Sequence, residues 1–355
     1  MPNNLLITGA AGFIGSNFVR YWLNKHPSDK VTALDLLTYA GRQDSLSGLD
    51  INFVRANVCD YEVIANLMRE QSIDRIIHFA AETHVDRSIE KPDVFLETNI
   101  FGTHSLLKAA RANWQFENQQ WRGNTHFHFV STDEVFGSLG ETSVAFKESN
   151  AFAPSSPYAA TKAAANHLVR SYWQTYGLPA TISNCSNNYG PFQFPEKLIP
   201  RLIINILLGR RLPIFGAGNQ IRDWLFVDDH CQAIDRIISL GTKGESYNVG
   251  AHEELSNLTV THCICDAVDK RFRANPTLRL QFPNCPSARL EKPSSLISHV
   301  PDRLGHDKRY AIDASKLKKQ LGFETSVSFA QGIEKTIDWY LSNEQWWRSI
   351  AHELN

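Results

Sequence analysis

A short apolar run at residues 5–8 leads directly into Gly9, Gly12 and Gly15, spaced G-x-x-G-x-x-G, and then into a helical apolar pattern at 13–24. This strand–turn–helix junction constrains the fold more than any other feature. Glycines at such a turn let the chain bend tightly and bring backbone N–H groups against a pyrophosphate. The helix N-terminus adds a favourable dipole, and the last glycine lets helix and strand pack closely. A second strand at 31–34 ends at Asp35, 20 residues beyond Gly15. A carboxylate there accepts hydrogen bonds from an adenosine ribose and repels an extra phosphate, which points to NAD rather than NADP.

The alternation continues, with strands expected at 51–54, 75–79 and 125–130 and helices at 61–71 and 92–112. It predicts an α/β fold: a Rossmann-type, doubly wound parallel sheet with a smaller C-terminal substrate-binding lobe. From about residue 190 the prolines and glycines cluster (Pro191, Pro195, Pro200, Gly209, Pro213, Gly216, Gly218), which favours loops and short elements. Residues 224–240 again read as sheet and helix, 246–249 as a strand, and 270–310 as irregular. The expected division is therefore 1–190, receiving about 224–250, for the cofactor. Residues 191–223 and 251–320 form the smaller lobe, and 321–355 a helical end.

A length of 355 residues with 43% hydrophobic content supports a sizeable core, and a net charge of -1 gives no field for nucleic acid or an anionic membrane. Neither partner is expected. No run approaches the roughly 18 apolar residues of a membrane helix. The N-terminal apolar run enters a glycine turn without a preceding basic region, so it reads as a strand and not a signal peptide. Of the six cysteines only Cys263 and Cys265 lie close together, too few for a zinc site. No metal is expected, and reduced thiols imply a cytoplasmic location.

Tyr158 and Lys162 lie four residues apart at the start of a helical pattern and so share a face. A phenol titrates near about 10, and a neighbouring ammonium and a cationic nicotinamide both favour the phenolate. Tyr158 is then the base that takes a hydroxyl proton while hydride leaves the same carbon. The strand at 125–130 runs on into Ser131, Thr132, Asp133 and Glu134, at the end of the sheet where ligands bind. Thr132 is placed to hydrogen-bond the reacting oxygen. Adjacent carboxyl groups point apart, which allows one to stay protonated and the other ionised. A simple dehydrogenase needs no such pair; a dehydratase needs a base and an acid. An acidic helix start is the plainer reading of these two residues taken alone. Asp228, Asp229 and His230 read as such a helix start, and His126 and His128 as packing on one strand face.

The stretches 131–137 and 155–162 resemble the dTDP-glucose 4,6-dehydratases of the extended short-chain dehydrogenase/reductase superfamily. So do 80–88, 184–191, 194–200, 220–225 and 302–307. The resemblance implies that Tyr158, with Lys162 and Thr132, oxidises glucose at C4. It further implies that Glu134 removes the C5 proton, that Asp133 protonates the leaving C6 hydroxyl, and that hydride returns to C6. NAD contacts are implied for Gly9, Gly12, Phe13, Ile14, Gly15, Asp35, Thr38, Asn57, Val58, Ala80, Ala81, Thr98, Tyr158, Lys162 and Asn188. Contacts with dTDP-glucose are implied for Thr83, His84, Thr132, Asn187, Lys197, Leu198, Arg222, Asn257, Arg303 and His306, with Pro213, Ile214 and Phe215 flanking the base. A homodimer through the helices following Thr98 and Tyr158 is implied as well. Leu36, Asn57, Phe136, Thr83 and Leu304 depart from the common pattern without removing a catalytic group. A 4-epimerase, a decarboxylase or a dehydratase of another nucleotide sugar shares the glycines and the Tyr/Lys pair. A protein that senses NAD without turnover is the alternative of a different class.

Overall fold

The computed structural model describes residues 2–302 and 306–351. Within them, seven strands form one parallel sheet: β1 (Asn4–Thr8), β2 (Lys30–Asp35), β3 (Asn52–Arg55), β4 (Arg75–His78), β5 (His126–Thr132), β6 (Ala180–Cys185) and, after three strands of the smaller sheets, β10 (Ser246–Val249). Their order is β10-β6-β5-β4-β1-β2-β3, with every neighbouring pair parallel. The order reverses between β1 and β4, and the loops leaving those two strands open the crevice in which doubly wound sheets bind their ligands.

Parallel strands need both faces covered, which explains why β1, β4 and β5 are buried nearly throughout. On one face, Phe18, Val19 and Trp22 of helix Phe13–Lys25 pack with Leu5 and Ile7. Val227, Cys231, Ile234 and Ile238 of helix Val227–Leu240 complete that layer. On the other face, Ile64 and Met68, Leu106 and Leu107, and Ala165 and Val169 come from three further helices.

The helical pattern at 92–112 is not one regular helix. It begins as Pro92–Phe95, passes through a π turn at Leu96–Gly102 and resumes as Thr103–Trp114. Inserted π turns recur at functional sites, and this one carries Thr98. A helix at Val85–Glu90, not anticipated from the sequence, precedes it.

Beyond residue 186 the texture becomes mixed, as the prolines and glycines imply. Strands β7 (Asn187–Tyr189), β9 (Ile221–Phe226) and β11 (Glu254–Ser256) make one small sheet, and β8 (Leu212–Phe215) pairs with β12 (Ile297–Val300) in another. Residues 270–310 hold more order than expected: helix Asn257–Ala274 enters the stretch, two 3-10 turns follow, and β12 lies within it. A separate core of Ile199, Leu202, Ile203, Ile264, Val268, Ile337 and Trp347 supports these elements. Arg303 and Leu304 lie outside the described residues.

Candidate active site

The glycine turn works by steric exclusion. Gly9 has φ +68, and a Cβ there would sit 2.6 Å from the backbone nitrogen of Ala80 on the β4 loop; a Cβ on Gly15 would fall 2.1 Å from the Gly9 carbonyl oxygen. Strand, turn and helix are therefore as close as bare backbone allows. Asp35, buried at the end of β2, accepts hydrogen bonds from the backbone N–H of Ala11 at 2.9 Å and of Leu37 at 2.8 Å. Its carboxyl thus ties the glycine loop to its own turn while keeping acceptor capacity for a ribose. Burial raises its pKa, and those two N–H groups oppose the rise.

Gly9, Gly12, Phe13, Ile14, Gly15, Asp35, Thr38, Asn57, Val58, Ala80, Ala81, Thr98 and Asn188 all line a single cleft, together with Tyr158 and Lys162. The same cleft reaches Thr83, Thr132, Asp133, Glu134, Asn187 and Lys197. At Asn57, the side-chain oxygen already accepts from the Cys59 N–H at 2.9 Å. Leu36 is exposed on the cleft rim.

Ser156 caps helix Pro157–Tyr176, its Oγ accepting from the Ala159 N–H at 3.1 Å, with Pro157 in the first turn. This cap fixes Tyr158 in the first turn, where the helix dipole favours an anion, and Lys162 one turn later. Lys162 Nζ donates to the Val130 carbonyl of β5 at 2.8 Å and lies 4.2 Å from the centre of the Phe129 ring. Burial lowers its pKa to about 7. The expected lowering of the Tyr158 pKa is not found in the protein alone. Burial pushes it well above the usual phenol value, Glu134 and Cys185 add to the rise, and Thr132 opposes it by hydrogen bonding. The reason is enclosure: burial strips the phenolate of its solvation, while Lys162 donates to a main-chain carbonyl.

The two carboxyl groups after β5 have different surroundings. Strand β5 runs two residues further than the sequence pattern suggests, so Thr132 is its last residue and caps a 3-10 turn at Asp133–Phe136. Thr132 Oγ1 donates to Asp133 Oδ1 at 3.3 Å and accepts from the Glu134 N–H at 3.3 Å. Asp133 is 3% exposed, whereas Glu134 is half-buried. Burial raises the Asp133 pKa well above the carboxylate range, and Glu134 and Asp223 reinforce the rise against Arg222 and Thr132. Burial thus favours the neutral acid at Asp133, beside the more open carboxyl group of Glu134.

The remaining residues implied for the sugar nucleotide form a second group. Arg222 donates to the Asp307 carbonyl at 3.0 Å and lies 4.3 Å over the Tyr310 ring, close enough to Asp133 to lower its pKa. His306 bonds Asp302 at 2.7 Å and meets the Phe215 ring edge-on. On β8, Pro213 and Phe215 are half-buried while Ile214 points into the core, so Ile214 offers only its main chain. Leu198 opens helix Leu198–Leu207 beside Lys197, and Asn257 opens helix Asn257–Ala274 with its N–H on the Gln220 carbonyl.

Sequence reasoning missed the closure around Glu196. This carboxylate accepts from the Tyr39 hydroxyl at 2.9 Å and lies 3.5 Å from Arg87 and 3.6 Å from His84. Arg87 stacks 3.6 Å over Tyr39, and Lys197 donates to the Thr83 carbonyl at 3.1 Å. Loops 36–42, 82–87 and 192–197 are thus tied together across the cleft, by residues whose neighbouring positions were noted but whose contacts leave no local pattern.

The cleft suits a dinucleotide on the protein's own evidence. Its glycine cradle has no space for a Cβ, and the buried side-chain oxygens of Asn187 and Gln193 along its wall have no partner among the described residues.

A family model described as GDP-mannose 4,6 dehydratase matches residues 6–336. A dTDP-glucose 4,6-dehydratase of Salmonella typhimurium is 47% identical over 98% of this chain and 95% of its own length. The dTDP-glucose 4,6-dehydratase of Streptomyces venezuelae, solved with NAD and TYD bound, is similar in structure with a TM-score of 0.85 and 40% identity, covering 98% of this chain and 99% of that one. That of Bacillus anthracis, solved in complex with NAD, gives 0.83 and 37% with 98% and 99% covered.

Proposed function

The chain belongs to the nucleotide-sugar 4,6-dehydratase family, and from that premise we propose that it is an NAD-dependent hydro-lyase converting dTDP-glucose to dTDP-4-keto-6-deoxyglucose. The observation that carries this reading is the pairing of a buried Asp133, its pKa raised by burial, with a half-buried Glu134 behind Thr132. A 4-epimerase, which only removes and returns hydride, has no use for that pair.

NAD, when bound, supplies a reversible acceptor for the C4 hydride and returns it to C6. The protein supplies the rest. Tyr158 takes the C4 hydroxyl proton, with the helix N-terminus and the Thr132 hydroxyl favouring its phenolate. Lys162, anchored on Val130, adds positive charge below the reacting face when protonated. The new C4 carbonyl acidifies C5–H, Glu134 removes that proton, and Asp133 gives its proton to the C6 hydroxyl as it leaves. Glu134, half-buried, exchanges that proton with solvent and then protonates C5. The residues lining the cleft hold the dinucleotide and the hexose. Arg222, with a fork suited to phosphate oxygens, holds the diphosphate together with Asn257, Arg303 and His306.

On this reading residues 1–190 with 224–250 serve the cofactor, 191–223 with 251–320 the nucleotide sugar, and 321–355 the helical end. A homodimer is supported by the exposed apolar side chains of Ile89, Val94, Leu96 and Phe101 on successive helical segments. Six free cysteines suit a cytoplasmic, reducing location. No helix among the described residues is long and apolar enough to cross a membrane.

The test is incubation of purified protein with dTDP-glucose in heavy water without added NAD. The expected product is the 4-keto-6-deoxy sugar carrying deuterium at C5. Recovery of a C4 epimer with water retained would overturn the assignment in favour of an epimerase.

A further inference from the structure

The cofactor chemistry just described, on which this inference rests, returns NAD unchanged, so NAD has no need to leave between turnovers. The sugar nucleotide must enter and leave every time. Arg222, Asn257 and His306, the groups proposed for its diphosphate, are not among the residues lining the cofactor cleft. The closure around Glu196 is different. Tyr39, Thr83, Glu196 and Lys197 all line that cleft, as do Asp35 on the ribose side and Tyr158 on the reacting side. A dinucleotide reaching from Asp35 to Tyr158 therefore runs along a cleft that the Tyr39–Glu196 bond bridges.

The two sides of this bridge are held unequally. Loop 192–197 is anchored in the smaller lobe, where the Tyr340 hydroxyl donates to the Gln193 carbonyl and Phe192 packs on Trp339 with ring centres 4.6 Å apart. Loop 36–42 hangs on side chains. Among the described residues no main-chain bond holds the N–H of Thr38, Tyr39 or Ala40. Leu37, at the base of the loop, has φ 58, a conformation that a leucine keeps only where its surroundings impose it. Tyr39 is kept down by its hydroxyl on Glu196 at 2.9 Å, by the Arg87 guanidinium 3.6 Å over its ring and by the Phe194 ring, edge-on at 5.6 Å. Glu196 in turn has Arg87 at 3.5 Å and His84 at 3.6 Å on the same carboxylate. A segment with few backbone bonds and a handful of shared side-chain contacts opens at lower cost than the sheet beneath it.

We propose that loop 36–42 is a latch for the cofactor: Tyr39, held by Glu196 and Arg87, keeps NAD in place from one turnover to the next, and the loop opens only to load or release it. Arg87 gives the cleanest handle on the latch, because it does not line the cleft and meets Tyr39 and Glu196 instead.

The test loads the protein with NAD, removes the excess, adds radiolabelled NAD and follows the bound label over time by rapid gel filtration. Tyr39→Phe keeps the ring but loses its bond to a charged carboxylate, and should speed exchange about tenfold or more. Arg87→Met should speed it about threefold. The double variant should fall short of the product of the two effects, since both act on one carboxylate. Exchange at the wild-type rate in both single variants overturns the latch. So does a single turnover of dTDP-glucose by loaded Arg87→Met that slows as much as exchange quickens, because the whole site would then have loosened. If Tyr39→Phe does not fold, Arg87→Met decides alone by the same two readings. Faster exchange in the variants of a wild-type protein that leaves dTDP-glucose unchanged would refute the dehydratase reading while upholding the latch, so the two failures are distinguishable.

Discussion

In the first half of β5, His126 and His128 share the Thr181 hydroxyl at 2.8 and 2.9 Å, and His128 reaches Ser183 at 3.1 Å. At the other end of the same strand, Thr132 and Asp133 are just as buried, but Asp133 keeps one oxygen unpartnered and faces the charge of Glu134. The first cluster is at rest: burial lowers the His128 pKa to about 3, and burial with the Lys243 ammonium on Nδ1 lowers that of His126 as well, so both rings stay neutral and every ring nitrogen has a partner. The second is held away from rest, with an acid kept protonated and Lys162 brought to about 7 by burial. Equal burial therefore marks structure where every polar atom has its partner, and chemistry where one is left without.

The sharpest way to break this comparison is to remove the base. Glu134→Gln should lower dehydration by about 10²–10⁴-fold while still letting bound NAD be reduced by dTDP-glucose. That reduction is read by absorbance and product analysis. Dehydration at the parental rate would return the acidic pair to the plain role of a helix start.

Asp133→Asn should lower dehydration by a similar order and yet stabilise the fold by ~1–3 kcal/mol near neutral pH, because a carboxyl that resists ionisation is replaced by a neutral amide. The sign follows from linkage. The folded pKa is raised, so the unfolded chain ionises first and wild-type stability falls as pH rises above the ordinary Asp value. Urea titrations of both proteins at acid and neutral pH test it, and equal stability at neutral pH would contradict it.

Lys162→Met carries the same logic with the opposite charge. Its folded pKa, about 7, lies below the ordinary 10.5, so the cost of burying the ammonium is felt fully below about pH 7 and is relieved as pH rises toward 10.5. The variant should be the more stable at pH 6, by on the order of a few kcal/mol, with the gap closing by pH 10.

The resting cluster gives the smallest effect. His128→Leu should cost ~1–3 kcal/mol by leaving Thr181 and Ser183 short of partners, with kcat changed less than twofold. It should also flatten the loss of stability between pH 6.5 and 3, where the unfolded chain takes a proton that the folded ring refuses. A large fall in kcat would mean that the two ends of β5 are coupled.

Much of this site is legible along the chain because the chemistry is local there. Gly9, Gly12 and Gly15 sit within one turn, Tyr158 and Lys162 within one helical turn, and Thr132, Asp133 and Glu134 in direct succession. His126 and His128 read correctly as packing, and Asp228 with Asp229 as a helix start; Asp229 accepts the N–H groups of Ser326 and Val327. The closure through Tyr39, Arg87 and Glu196 and the π turn bearing Thr98 left no such trace, since both depend on how distant segments meet.

The sequence by itself determined which groups the site owns and the alternation of strands and helices that presents them, because backbone sterics at glycine and the periods of helix and strand act between neighbours. Only the tertiary structure decided their protonation. Burial raises the Asp133 pKa, and Asp223, 90 residues away, adds to the rise. Lys162, on its helix, is held by the Val130 carbonyl of β5. Desolvation is a property of enclosure, and enclosure exists only once the chain has folded.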